Sequence, residues 1–343
     1  MNPRDDYRDW SPARWRAHLD AYCQSHNLEA VWQLGLTLVT VVGLWVLGHA
    51  ALQISPLLSL PVSCLAGSFM IRAFIVQHDC GHLAYFSSRR ANLLVGRGLS
   101  VLTLVPFDHW RRLHALHHAH SGNLEGRGTG DIDMLTVAEY QGLSWWQRLA
   151  YRLYRHPLVL LGIGPFYYFV LKQRSPFGHP LPWRRGIRSV LATNFAIGLL
   201  WAGLIASYGL GTFLWLYLPT VLSAGAIGVY LFYVQHQYPD AYWRRREEWT
   251  FTESALAGSS YLKLPGFLHW LTGNIAYHHI HHLCSRIPSY RLPECLRAEP
   301  LLQEASALSL WQSFKSLRLA LWDEARERMV PFSGLSGATG PLR

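Results

Sequence analysis

The chain has 343 residues, of which 50% are hydrophobic, and its formal net charge is +10 at pH 7. The placement of charge argues against two or three soluble domains, because no Asp, Glu, Lys or Arg occurs over residues 31–71 or 189–239. Each of these stretches is long enough for two membrane spans of about 20 residues. The five cysteines form no CxxC pair, so a reducing compartment fits and disulfides are not expected.

The first part of the chain is predicted to lead into a transmembrane hairpin. Residues 1–30 form an amphipathic cytoplasmic lead-in, and they lack the cleavage-site pattern of a removable signal peptide. Residues 31–77 form the hairpin, with spans at 31–53 and 57–77 that turn near Ile54-Ser55-Pro56. We interpret Arg72 as snorkelling toward the membrane interface.

Residues 78–188 are predicted to form the first part of a cap outside the membrane. They contain two histidine groups, HDCGH at 78–82 and HALHH at 114–118. Between them, residues 89–108 are predicted to form a short interfacial helix. The apolar run 157–171 contains Pro165 and is short for a span, so we expect an interfacial or re-entrant segment.

The second half repeats this plan of a hairpin followed by a histidine group. Residues 189–235 form the second hairpin, with spans at 189–207 and 212–235 and a turn near Tyr208-Gly209-Leu210-Gly211. Residues 236–343 form the second part of the cap, which contains a lone His236 and the group HHIHH at 278–282. Its charged tail is predicted to be helical.

The charges predict the orientation in the membrane. Neither turn is charged, so every Lys and Arg lies on one side if each pair of spans is a hairpin. The positive-inside rule makes that side, with both termini, cytoplasmic. Such a basic cap would attract anionic lipid headgroups or an acidic protein partner. Membrane anchoring already explains the asymmetry, so we expect no nucleic acid partner.

The histidine groups have the spacing of metal ligands. Residues three and four apart share one face of a helix, so HxxxH aims two imidazoles one way and HxxHH aims three. The ligand count exceeds the three or four that one zinc ion takes, which predicts a two-metal centre at the membrane–water boundary. The nine predicted ligands are His78, His82, His114, His117, His118, His236, His278, His281 and His282.

Several other polar residues are weaker candidates. Asp79 cannot share the face of His78 and His82, but it can orient a histidine through the second ring nitrogen. Further candidates for such a supporting role are Asp108, Asp131, Asp133 and Asn274. His120 and His279 lie off the pattern and are interpreted as supporting or surface residues. We give structural roles to the remaining histidines, which are His18, His26, His49, His109, His156, His179 and His269.

The ligand type leaves iron, zinc and copper open. Soluble di-iron helical proteins use Glu ligands and paired Glu-x-x-His motifs, and no Glu-x-x-His occurs here. Redox-inert zinc would suit hydrolysis. Iron with oxygen is the better match for an interfacial site that faces a lipid chain.

At these residues the chain resembles the membrane fatty acid desaturase family. The three groups match that family's HxxxH, HxxHH and HxxHH boxes in order, and residues 235–239 (QHQYP) are similar to its extra-histidine region. Residues 273–283 and 121–140 are similar to bacterial acyl-lipid desaturases. The resemblance covers roughly residues 30–300.

The resemblance implies an all-α integral membrane protein, with four transmembrane helices in two hairpins and a cytoplasmic helical cap. Two irons held by the nine histidines would use O2 to introduce a cis double bond into the acyl chain of a membrane lipid. Electrons would come from ferredoxin, flavodoxin or cytochrome b5. No His-Pro-Gly-Gly motif occurs, so we expect a separate donor rather than a fused cytochrome b5 domain.

Two alternatives remain at this point. A hydroxylase or ketolase acting on alkanes, fatty acids or carotenoids would use similar histidine boxes. A non-enzymatic membrane metal-binding or transport protein is disfavoured, because transporter ligands usually lie near the bilayer midplane between broken helices. Here the histidine groups follow the ends of the spans.

Overall fold

The computed structural model describes residues 10–128, 130–177, 183–303 and 305–337. Its four longest helices are long and apolar enough to cross a membrane, and they confirm the predicted spans. In chain order, the first to fourth spans are Asn27–Ile54, Pro56–Gly81, Arg184–Tyr208 and Leu210–His236. Each runs a few residues beyond its predicted bounds. At 1.5 Å per residue, each helix is longer than the roughly 30 Å hydrocarbon core, so its ends extend into the interface.

Tight turns join the spans of each hairpin. The Ser55 hydroxyl accepts a hydrogen bond from the Leu57 backbone N–H at 3.3 Å, and Pro56 occupies the first helical position. Proline suits this position because its fixed φ is helical and it has no N–H to satisfy. Gly209 makes the second turn at φ 79° and ψ 153°, a conformation that favours glycine.

The second and fourth spans form the centre of the bundle. The most apolar window of the second span is 61% buried, against 17% for the third. A Cβ on Gly67 would lie 2.6 Å from the Thr220 carbonyl oxygen of the fourth span, so only glycine allows this approach. The Thr220 hydroxyl donates to the Ser63 carbonyl at 3.1 Å. The first and third spans instead expose apolar side chains such as Val39 and Phe195, as lipid-facing helices do.

Arg72 does not snorkel, contrary to the interpretation above. Its side chain is buried, its Nε donates to the Thr37 hydroxyl at 3.1 Å, and its guanidinium lies 4.2 Å from the Trp270 ring centroid. Its terminal nitrogens also donate to the Trp270 carbonyl and the Gln33 side chain. Arg72 therefore links the second span to the first and to the segment before the third histidine group. Hydrogen bonding by these partners is what makes the buried charge tolerable.

The remaining helices of the described residues are shorter. The α-helices are Pro12–Leu19, Arg89–Thr103, Phe107–His120, Val137–Gly142, Trp145–Arg155, Gly164–Phe166, Phe251–Ala257, Gly266–Leu271, His278–Leu283, Leu292–Ala298, Pro300–Gln303 and Leu310–Ser316. Single turns of 3₁₀ or π-helix are Asp20–Cys23, Val159–Ile163, Tyr167–Leu171, Lys172–Arg174, Ser289–Arg291 and Phe332–Gly337. The predicted run 157–171 is thus helical, and Pro165 packs on Gly225 of the fourth span.

Two small sheets were not predicted. Leu135–Thr136 pairs in parallel with Leu319–Asp323, which pairs antiparallel with Arg328–Pro331. Tyr261–Lys263 pairs in parallel with Ala307–Ser309. These strands are two to five residues long, so the fold stays mostly helical.

The prediction of a helical tail is wrong for residues 317–331, which form two strands and the turn between them, while Phe332–Gly337 is a 3₁₀ turn. The acidic and basic residues at 323–328 have good helix propensity, but the Asp323 carboxylate accepts from the Ala325 and Arg326 N–H groups at 3.1 Å and forms a turn. Glu327 has φ 50°, which completes the reversal. The buried Trp322 on the strand before this turn contributes to the core, so tertiary packing overrides local propensity.

The N-terminal lead-in packs against the third histidine group. Trp15 and Leu19 are fully buried in a cluster that includes Ile280 and Leu283. Cys23 belongs to the same region, with its Sγ 3.4 Å from that of Cys284, and all five cysteines are free. Residues near the N-terminus therefore support the helix His278–Leu283.

Candidate metal centre

Nine imidazoles meet in two adjacent groups, which we call the five-histidine and the four-histidine group. The five-histidine group is His78, His82, His114, His118 and His281, and the four-histidine group is His117, His236, His278 and His282. Within each group the ligand nitrogens lie within 4.8 Å of one another. These are the nine predicted ligands, eight of them predicted from spacing and His236 from its place after the last apolar run, and two groups of this size fit a di-metal centre.

Spans and short helices bring the ligands to one place. His78 lies in the last turn of the second span and His82 directly after it, while His236 ends the fourth span. Because these two spans pack side by side, their ends meet. The helices Phe107–His120 and His278–Leu283 then supply the other six ligands from segments that pack against those ends.

Each HxxHH box divides between the two groups, contrary to the expectation that its three imidazoles point one way. His114 and His118 belong to the five-histidine group, but His117 belongs to the four-histidine group. At 100° per residue, position i+4 is rotated about 40° around the helix axis from position i. Position i+3 is rotated about 60° from position i in the opposite direction. The third box divides in the same way, with His281 opposite His278 and His282. Each box therefore bridges the groups, and the His118 and His282 rings stack at 4.2 Å between centroids.

The nitrogen spacing suits a metal ion in each group. Nε2 distances are 3.0 Å for His82 to His114, 3.1 Å for His114 to His118 and 3.0 Å for His118 to His281. In the four-histidine group they are 3.1 Å for His117 to His236, 2.9 Å for His236 to His278 and 3.0 Å for His278 to His282. Ligands about 2.0–2.1 Å from one ion and 90–110° apart would be about 2.9–3.4 Å from each other.

Hydrogen bonds at the outer ring nitrogens turn the lone pairs inward. His236 Nδ1 lies 3.1 Å from the Gly258 carbonyl, which only accepts, so Nδ1 carries the proton. His117 Nδ1 likewise bonds the Asp131 carboxylate. With both rings neutral, the two Nε2 lone pairs would face each other, and a cation between them would remove their repulsion. The arrangement fits a metal ion better than a hydrogen-bonded histidine network.

The histidines on the helices Phe107–His120 and His278–Leu283 favour the neutral form, which a metal ligand needs. Burial, with repulsion by neighbouring histidines, lowers the pKa of His114 and His118 well below the ordinary value. The same causes lower the pKa of His281 and His282. A neutral imidazole has the free lone pair that binds a metal.

Two of the predicted supporting carboxylates contact ligands. Asp79 Oδ1 lies 3.1 Å from His78 Nδ1, and its Oδ2 accepts from the Ser289 N–H at 2.6 Å. Asn274 acts one step further away, because its amide donates to the Ser289 carbonyl at 3.1 Å. Asp131 bonds His117. In each group, a carboxylate therefore contacts the Nδ1 atom of a predicted ligand, His78 or His117. Such contacts are the usual means of orienting a metal-bound imidazole.

The other two carboxylates have different surroundings. Asp108 is buried and pairs with Arg97 at 2.9 Å and Arg185 at 2.9 Å. Asp133 lines a cavity of about 440 Å³ beside Tyr154. Neither carboxylate contacts a histidine of the centre through a hydrogen bond among the residues that the structure describes.

The histidines given other roles stay outside both groups where they are described. His120 Nδ1 lies 3.0 Å from the Leu116 carbonyl one turn back, and His279 Nε2 lies 2.9 Å from the Leu302 carbonyl. His269 stacks on Tyr277 at 4.3 Å between ring centroids. His179 falls outside the described residues.

Three contributors were missed by the sequence reasoning. Trp110 stacks on His114 with ring centroids 4.6 Å apart and planes 15° apart. Its position four residues before His114 on a helix was a usable signal. The Gly258 carbonyl and the Ser289 N–H carried none, because a backbone group becomes a partner only through tertiary placement.

Comparison with known proteins gives one consistent group of relatives. The family model described as fatty acid desaturase matches residues 54–314. A fatty acid desaturase of Bacillus subtilis is 40% identical over 92% of this chain and 89% of its own length. An sn-1 acyl-lipid omega-3 desaturase (ferredoxin) of Synechocystis is 30% identical over 73% of this chain and 70% of its own length. An sn-1 oleoyl-lipid 12-desaturase of Synechocystis is 27% identical over 79% of this chain and 76% of its own length.

Proposed function

The chain belongs to the fatty acid desaturase family, and from that premise we propose that its nine clustered histidines hold two iron ions for O2-dependent desaturation. The enzyme is an oxidoreductase of lipid desaturation. The proposed product carries a cis double bond in the acyl chain of a membrane lipid. The observation that carries the proposal is the division of the histidines into two groups, in each of which the ring nitrogens lie within 4.8 Å of one another.

The chemistry favours iron over zinc. Loss of two hydrogens from an acyl chain is a two-electron oxidation, which a redox-inert ion does not support. Bound iron would supply O2 activation, with two electrons from the chain and two from a donor reducing O2 to two waters. Imidazole ligands suit iron.

The protein's own residues would hold this centre in place. Asp79, Asp131 and the Gly258 carbonyl keep the protons on Nδ1 of His78, His117 and His236. Each Nε2 is then free to bind metal without a prior proton transfer. Burial of the four-histidine group would exclude bulk water from that side of the centre, which protects reactive oxygen chemistry from side reactions, whereas His82, His114 and His118 of the five-histidine group are only half-buried.

The proposed location is the cytoplasmic membrane, with 78–188 and 236–343 as the cytoplasmic cap and both termini on that side. The uncharged turns at Ser55 and Gly209 support this orientation. The electron donor would be a separate acidic protein such as ferredoxin or flavodoxin. The ferredoxin named for the Synechocystis relative supports that choice, as does the +10 charge of this chain.

Lipid analysis of a host that expresses the protein tests the function. Mass spectrometry should show acyl chains that have lost two hydrogens, and derivatisation should place the new double bond. Acyl chains that gain one oxygen instead would identify a hydroxylase. Unchanged chains, from membranes that contain iron-loaded protein and a working donor, would refute both.

A further inference from the structure

A basic cleft lies beside the five-histidine group. It has a volume of about 320 Å³, and its lining includes His82, His114, Arg111, Arg112, Trp183 and Arg185. Two of the metal-binding histidines thus form part of its wall. The cleft connects the proposed metal centre with the protein surface, because Arg112 and Arg185 are exposed.

Positive charge in the cleft is not balanced. The carboxylate that lines it, Asp108, is buried and already paired with Arg97 and Arg185. Arg111 donates from Nε to the Gly81 carbonyl at 2.5 Å, a neutral partner. Burial lowers the pKa of Arg111, and repulsion by Arg89 lowers it further. Arg89 is therefore another cation near the cleft. A cleft with this excess of guanidinium groups favours an anion.

Arg112 is the cation best placed to accept a ligand. Its guanidinium lies 5.2 Å from the centroid of Trp183, and in the described part of the chain it has no carboxylate partner. Arg185 lies 5.9 Å from the same ring. Stacking holds a guanidinium plane while its N–H groups stay free, and the fork of donors matches two phosphate oxygens.

The depth of the cleft matches that of lipid headgroups. Gly81 is the last residue of the second span, and Trp183 directly precedes the third. Tryptophan and arginine at the ends of spans lie at the level of the headgroups. An acidic electron donor would instead need a broad accessible face, whereas this site is a recess of headgroup size.

We propose that this cleft binds the phosphate of the phospholipid whose acyl chain is desaturated. The inference rests on the proposed function and extends it by selecting a phospholipid over a neutral glyceride or a thioester. Holding the phosphate next to His82 and His114 would restrict how the attached acyl chain reaches the metals. Such positioning lowers the entropic barrier to reaction.

Direct binding tests this without requiring turnover. Purified iron-loaded protein in neutral detergent is titrated with phosphatidylglycerol and with diacylglycerol of the same acyl chains. The wild type should bind phosphatidylglycerol more tightly, and Arg112→Gln should weaken that binding about tenfold, as expected for one charge-assisted contact. Arg112→Gln should leave diacylglycerol binding and iron content unchanged. Arg246→Gln, which removes another exposed arginine outside the cleft, is the control.

Turnover separates the remaining possibilities. Arg112→Gln should raise the KM for phosphatidylglycerol about tenfold at unchanged kcat, with dithionite as well as with a protein donor. A defect that disappears with dithionite would assign the cleft to the donor and overturn the proposal. Equal loss in Arg246→Gln, or wild-type preference for an acyl thioester, would also overturn it. A wild type that binds phosphatidylglycerol through Arg112 but desaturates nothing would refute the proposed function alone.

Discussion

His117 Nε2 lies 3.1 Å from His236 Nε2, although 119 residues separate them in the chain. The other nitrogen of each ring is bonded to an acceptor, Asp131 or Gly258. We therefore expect metal removal to destabilise the protein, because it leaves buried lone pairs facing one another. Chelation should lower Tm, and either Fe²⁺ or Zn²⁺ should restore it, since both bind imidazole. Only Fe²⁺ should restore desaturation; recovery with Zn²⁺ would contradict a redox role.

Loss of His117 should empty the metal site of the four-histidine group. His117→Ala is expected to reduce iron from two to about one per chain and to lower desaturation at least a hundredfold, since even orienting residues cost 10–100-fold. His120→Ala, on the same helix but outside both groups, is the control and should keep both irons. Iron analysis and lipid mass spectrometry on both variants measure this. Full iron in His117→Ala would remove it from the ligand set.

The orienting role of Asp131 has its own test. Asp131→Asn keeps the shape but removes the charge that holds the proton on His117 Nδ1, so iron affinity should fall about 10–100-fold. Asp133→Asn is matched in chemistry and lies two residues away, and we expect it to bind iron normally. Competition with a chelator of known affinity gives the dissociation constant for iron of each variant. Equal affinities would mean that Asp131 does not act on the metal.

Contact between the second and fourth spans should depend on Gly67. Gly67→Val would place its Cβ 2.6 Å from the Thr220 carbonyl, and we expect a loss of at least about 1–3 kcal/mol from overpacking. Gly43→Val on the first span meets nothing within 4 Å and should be tolerated. The temperature of aggregation in detergent and the iron content, measured for both variants, report the loss of stability. Similar stability of the two variants would contradict the close approach.

The proposed orientation predicts where reporters are active. Alkaline phosphatase folds only outside the cytoplasm, so insertions at Ser55 and Gly211 should be active and a C-terminal fusion should not. The physical reason is that the charged segments resist translocation. A C-terminal fluorescent protein, which needs the cytoplasm, provides the opposite control. An active phosphatase at the C-terminus would invert the assignment.

The spans and the histidines that cluster could be predicted because they depend on local properties. An uncharged run such as 189–239 has few folded options other than membrane spans, since lipid cannot satisfy an open backbone. The spacing of His78 and His82, or of His114 and His118, places each pair on one helical face. The helix predicted for the tail from its charged residues was wrong, because Trp322 is buried in the core and residues 323–328 form a turn.

The sequence by itself determined the four spans and the eight clustered histidines of the three boxes, because the hydrophobicity of a span and the spacing of histidines on a helix are properties of a single segment. Only the tertiary structure decided which histidine joins which group. That choice depends on how each helix is rotated against the ends of the second and fourth spans, so His117 separates from His118. It also decided that the Gly258 carbonyl would orient His236, since a backbone carbonyl acquires such a role only when distant segments meet.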